Sequence, residues 1–304
     1  MSTTFTRKMT SGGPAEGMTL SGRMNASVQH TGDRDVPLVV ALHGGGYDSK
    51  FFDVPGYSLL DRAEALGIPA IAVDRPNYGG TSRLETDGSI FQANVETIDH
   101  FIGELWEEFG GGTTGVFLVG HSIGGALSIL LASNTPAWPL LGVALSGCLV
   151  QSPPDTAARF TSLPMEWLPC DGAMRFQLMF GPAGSYSNDM PAAEEAVHGD
   201  TPVLVKELVE IFTAWEDRFR ELAPSITVPV HLRHGEFDHL WISDRSQVKE
   251  FVRVLVNSPL VDAELWPGVG HDIDYHRAGP AFQTQQLAFA LTAATRLIGG
   301  PEAS

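Results

Sequence analysis

The chain has 304 residues, 43% hydrophobic and 18% charged, enough for one large α/β domain or such a domain carrying an insertion. Its 36 acidic against 19 basic side chains give a formal charge of −17, a field that repels nucleic acid and anionic lipid surfaces, so neither is expected as a partner. The start lacks the apolar core of a signal peptide, no stretch is long enough to span a bilayer, and Cys148 and Cys170 sit in apolar company as buried free thiols, so a cytoplasmic protein is expected.

Residues 1–16 read as a loose tail. From Pro37 to Leu42 a continuous apolar run ends in His43-Gly-Gly-Gly46. A helix from Leu59 to Leu66 follows, closed by Gly67, and then a buried strand over Ala70–Val73 that ends at Asp74. Phe91, Val95, Ile98, Phe101, Ile102, Leu105 and Phe109 share one helical face, and Gly110 to Gly112 stop that helix. Val116–Val119 is the next strand, with an Ala/Leu helix after it to about Ser133. Leu141–Leu145, Val228–Leu232 and Ala263–Trp266 read as further strands, and Ala281 to Ile298 as a closing helix. Unalternating apolar runs between amphipathic helices predict a mainly parallel sheet with helices on both faces. Ligands of such sheets bind outside the carboxyl ends of the strands.

The stretch 151–224 breaks this rhythm and carries no strand signal. Prolines and glycines separate Leu163, Met165, Trp167, Met174, Phe176, Leu178, Met179 and Phe180. One helix, capped by Thr201, then lines up Leu204, Leu208, Ile211, Phe212, Trp215, Phe219 and Leu222. This predicts a helical cap over 151–224, set between core segments 17–150 and 225–304.

Gly120-His-Ser122-Ile-Gly124 lies directly after a strand and directly before a helix. A serine on so sharp a turn projects its hydroxyl from the carboxyl edge of the sheet, and the helix start offers free N–H groups to an anion. Ser122 is therefore the candidate nucleophile. A serine hydroxyl needs a base, and the base needs an orienting group. His271 follows the strand ending at Trp266. Asp238 follows the strand ending at Leu232, with Glu236 as its competitor. Asp272 is adjacent to His271 in sequence, a poor geometry for orienting it, and His276 is the nearby substitute base. The Ile123 N–H is one candidate oxyanion donor. The second falls on the glycine loop, Gly45 first and Gly46 after it. Tyr47, beside that loop, reads as a packing residue that could also gate it. His231, His234 and His239, with the group around His271, raise the question of a metal. Side chains three apart on a strand point to opposite faces, so no metal and no cofactor are expected.

Together these residues resemble the α/β-hydrolase superfamily over roughly 36–298. The resemblance rests on the His43-Gly44 loop, the turn from Asp74 to Gly79, the elbow from Gly120 to Gly124, the acid loop from His234 to Asp238, and Gly270-His271. It implies the α/β-hydrolase fold and the chain order serine, acid, histidine. The triple glycine resembles the hormone-sensitive-lipase branch, whereas the position of the cap resembles lid-bearing esterases, lactonases and carbon–carbon hydrolases. A serine nucleophile separates the chain from the dehalogenases and epoxide hydrolases. The expected activity is hydrolysis of a hydrophobic small-molecule ester or lactone through an acyl-enzyme. A carbon–carbon bond hydrolase, a cofactor-free perhydrolase and a small-molecule receptor with little turnover are the alternatives. A homodimer is left open.

Overall fold

The computed structural model of the protein describes residues 2–10, 12–30 and 35–298. Strand β1 (Thr3–Lys8) pairs antiparallel with β2 (Thr19–Met24), so a sheet edge stands where a loose tail over 1–16 was expected. Most of β1 is exposed and it has no apolar run, so the pattern of a buried strand does not reveal it. The chain continues through β3 (Leu38–Leu42), α1 (Leu59–Ala65), β4 (Ala70–Val73), α2 (Ile90–Phe109), β5 (Val116–His121), α3 (Ile123–Ser133) and β6 (Leu140–Ser146). Ser58 and Ser89 cap α1 and α2, each accepting a backbone N–H of the first turn.

Between β6 and the next long strand lie α4 (Pro154–Thr161), β7 (Trp167–Leu168), α5 (Gly172–Met179), α6 (Met190–His198), β8 (Val203–Leu204), α7 (Val205–Thr213) and α8 (Trp215–Leu222). Two expectations change here. The short strands β7 and β8 pair antiparallel, although no strand was expected. The single helix capped by Thr201 is two helices broken at Ala214. Thr201 instead donates its hydroxyl to the His198 carbonyl, and Leu204 precedes α7. Trp215 accompanies the break: its ring is buried and its Nε1–H donates to the Leu149 carbonyl at 2.7 Å. The core then resumes with β9 (Val230–Gly235), α9 (Arg245–Val254), β10 (Val261–Trp266) and α10 (Gly279–Ile298).

The main sheet has eight strands in the order β1-β2-β4-β3-β5-β6-β9-β10. All pairings from β4 to β10 are parallel, while β2 meets β4 antiparallel. Strand β3 shows why its sequence does not alternate. Leu38, Val40 and Leu42 join a cluster that includes residues of α2 and α3, and Val39 and Ala41 join one on the other face with α1 and α10. From β3 the chain steps outward to β4 and then back across to β5. The strand order therefore reverses between β3 and β5, which opens a crevice at their carboxyl ends. Cys148 and Cys170 are both buried free thiols.

Candidate active site

The loops leaving β3 and β5 meet at this crevice. Ser122 closes the turn from β5 into α3 with φ 54° and ψ −119°, a left-handed conformation that side chains rarely adopt. Its N–H donates to the Ser146 carbonyl at 2.8 Å, and its carbonyl accepts from Ala126 at 3.1 Å, which over-determines the strained turn. The turn also requires glycine at 124, because a Cβ there would lie 2.0 Å from the Leu42 carbonyl oxygen. Helix α3 is thereby packed directly against the end of β3.

His271 and Asp238 follow β10 and β9. His271 Nδ1 lies 2.6 Å from Asp238 Oδ2, and both side chains are buried. Burial acts against both charges. Even so, the Asp238 carboxylate raises the His271 pKa above its ordinary 6.5, and the imidazole holds Asp238 below the usual carboxylate value. Asp238 also accepts the Leu240 N–H at 3.0 Å. Glu236 points elsewhere, accepting the Gly268 N–H at 3.0 Å. His276 is held by backbone on both nitrogens. Nε2 accepts from Gly181 and Gly270, at 2.9 and 3.0 Å, and Nδ1 contacts the Asp272 carbonyl at 2.8 Å. With Nε2 an acceptor twice over, this ring is a neutral brace for the His271 loop, consistent with a pKa lowered by burial.

Sequence reasoning did not foresee a second acid–histidine contact alongside. Asp272 Oδ1 stands 2.9 Å from His121 Nε2, off the line of a good hydrogen bond, and Oδ2 accepts the Tyr47 hydroxyl at 2.6 Å. His121 stacks on Phe51 with ring centroids 4.4 Å apart, and lies edge-on to His271 at 4.8 Å. Gly147, at φ 60°, makes room for both imidazoles, since a Cβ there would meet His271 Cε1 at 2.8 Å and His121 Cε1 at 3.0 Å. Ligand atoms of His121, His271 and Asp272 fall within 4.8 Å of one another, the one candidate metal grouping among the described residues. His271 and Asp272, raised by sequence, fall in this grouping, and His231 and His234 do not. His231 packs against Phe289, and His234 Nε2 is 3.0 Å from Ser243 Oγ. The adjacency that disqualifies Asp272 as the partner of His271 is what points it at His121; no sequence spacing announces this.

Gly45, Ser122 and Ile123 line one cavity, walled by Phe160, Leu178, Ile211 and Trp241 and almost wholly apolar. Ile123 opens α3, so its N–H has no acceptor within the helix. Gly46 follows at φ 74°, where a Cβ would meet Cys170 Sγ at 3.4 Å and the Thr201 carbonyl at 3.6 Å.

A family model described as "Alpha/beta hydrolase family" matches residues 39–282. The chain belongs to the alpha/beta hydrolase family. Human monoglyceride lipase is 24% identical over 208 residues, which is 67% of this chain and 65% of the lipase. An esterase of Mycobacterium tuberculosis is 34% identical over 100 residues, 33% of this chain and 29% of that protein. The chain thus matches at most about two thirds of the length of these curated relatives. Among solved structures, a Paleococcus ferrophilus monoacylglycerol lipase superposes with a TM-score of 0.61 at 21% identity, covering 86% of this chain and 96% of that one. No helix among the described residues is long and apolar enough to cross a membrane.

Proposed function

We propose that this alpha/beta hydrolase cleaves a carboxylic ester or lactone of a hydrophobic small molecule, with Ser122, His271 and Asp238 as its triad and residues 151–224 as a cap. The observation that carries the reading is the strained serine on the wall of an apolar cavity, together with a buried histidine–carboxylate pair 2.6 Å long in the loops after β10 and β9. Curated relatives named as a lipase and an esterase support it.

In this mechanism His271 Nε2 takes the Ser122 hydroxyl proton as Oγ bonds to the substrate carbonyl carbon. The Gly45 and Ile123 N–H groups donate to the oxyanion. The bond to the leaving oxygen breaks and that oxygen receives the proton from His271. Water then hydrolyses the acyl-enzyme through the same base. Asp238 stays ionised and holds the ring. None of these steps calls for a metal or cofactor.

A fluorophosphonate probe should label Ser122, and the protein should turn over p-nitrophenyl esters. Ser122→Ala should lose labelling and about three or more orders of magnitude in kcat without a change in melting temperature. Full turnover by Ser122→Ala would overturn the triad. A substrate panel of esters, lactones and dienone acids then separates ester or lactone cleavage from carbon–carbon cleavage.

A further inference from the structure

Arg75 is fully buried, and its guanidinium is spent on two targets. Nη1 and Nη2 reach Glu207 of α7 at 2.6 and 3.3 Å. Nε and Nη2 donate to the carbonyls of His43 and Gly44 at 2.8 and 3.1 Å. The Arg75 backbone N–H donates to His43 Nε2 at 3.0 Å, so the His43 proton sits on Nδ1 and is given to the Gly44 carbonyl at 2.7 Å. That carbonyl is therefore fixed by two donors. Its peptide plane also carries the Gly45 N–H, which in a trans peptide points the opposite way. Whatever holds the Gly44 oxygen sets the direction of the Gly45 N–H.

The other end of the bridge lies in the inserted segment. Tyr78 Oη donates to Glu207 Oε2 at 2.6 Å and accepts from the Leu204 N–H at 3.1 Å, while its ring lies 4.7 Å from the Arg75 guanidinium carbon. Leu208 and Ile211 of the same helix line the cavity. Val203 touches the glycine loop itself, since a Cβ on Gly45 would meet its Cγ2 at 2.6 Å.

We propose that Arg75, Glu207 and Tyr78 are positioning residues that aim the Gly45 N–H, so that seating of α7 over the cavity completes the oxyanion site. This rests on the reading of Gly45 as a donor. A buried ion pair is a costly way to gain stability, and an apolar pair of similar volume commonly serves as well. An apolar pair cannot hold two carbonyls in one orientation.

The test uses a double variant, Arg75→Met with Glu207→Met, and the single variant Tyr78→Phe, with Ser122→Ala as control. Melting temperature, kcat and KM on a p-nitrophenyl ester, and inhibition by a trifluoromethyl ketone of the same acyl chain are measured. The double variant should still fold, with at most a modest fall in melting temperature from the carbonyls it leaves unpaired, and lose about 10- to 100-fold in kcat. Its KM should stay near wild type, and the ketone, which forms a tetrahedral adduct, should weaken by the same factor as kcat. Tyr78→Phe should move the same quantities in the same sense by a smaller factor, and it decides the question if the double variant fails to fold. Wild-type kcat and ketone affinity in the folded variants, with Ser122→Ala inactive, would overturn the clamp alone. An active Ser122→Ala would overturn the site on which it rests.

Discussion

At the scale of single residues, the site is a matter of opposing terms on a few buried groups. Burial alone would push the His271 pKa down, and the Asp238 carboxylate 2.6 Å away more than reverses it. His121, next to it, goes the other way: burial outweighs Asp272, so its pKa falls below the ordinary value. Two imidazoles with centroids 4.8 Å apart are thus shifted in opposite directions, with a carboxylate aligned on the nitrogen of His271 and one off the line of a good hydrogen bond beside His121. A general base works only when neutral, and the folded pKa of His271 lies above 6.5. The kcat/KM of ester hydrolysis should therefore rise with pH along a limb whose midpoint lies above 6.5. Asp238→Asn should shift that limb to lower pH while cutting kcat by about 10^4. A wild-type midpoint below 6.5, read from a pH–rate profile, would mean that desolvation prevails at His271.

At the scale of elements, the strands of the main sheet from β3 onward and the loops that follow them were legible, because a strand buried on both faces needs an apolar run and a ligand loop needs its glycines. What escaped the sequence is what depends on distant partners. Strand β1 is polar because it lies at an edge, and the kink at Ala214 comes where Trp215 finds the Leu149 carbonyl. Glu207 looks like a solvated helix residue until Arg75 is placed against it. Asp274 is a further case, in the short turn that joins the His271 loop to α10. It is fully buried and accepts Gln283 Nε2 at 2.8 Å, with no cation bonded to it among the described residues. Desolvation raises its pKa from 3.8 to about 7. The folded state therefore binds this proton more tightly than the unfolded chain does. The resulting stability is complete below pH 3.8 and is lost as pH rises through about 7. Asp274→Asn keeps the acceptor for Gln283 and has no charge to bury. Its melting temperature should exceed that of wild type by a margin that widens between pH 5 and 8, within about 2–4 °C for each kcal/mol gained. A constant margin across that range would show that Asp274 is ionised in the fold.

At the scale of the whole molecule, the question is how a substrate reaches Ser122. The cavity beside it is only about 50 Å3, room for a few water molecules and far less than an ester with a hydrophobic acyl chain requires. Its outer wall belongs to the inserted segment. Phe160, the one buried residue of α4, stacks on Phe212 of α7 at 5.1 Å and 14°, and Phe212 leans on Trp241 at 5.9 Å. All three line the cavity. The stack occupies the volume that a long acyl chain would need, so it should act as a ruler for chain length. Phe160→Ala removes a ring at the edge of the insertion rather than within the sheet core, and the space it leaves adjoins the existing cavity. For p-nitrophenyl esters, kcat/KM for a decanoate relative to an acetate should rise about tenfold in this variant, since a few methylene groups in an apolar pocket carry discrimination of that order. The acetate, which brings no long chain into the cavity, should be hydrolysed at close to the wild-type rate. An equal loss on both esters would make the stack a structural prop for the insertion, and an unchanged ratio would place the acyl chain along a different wall.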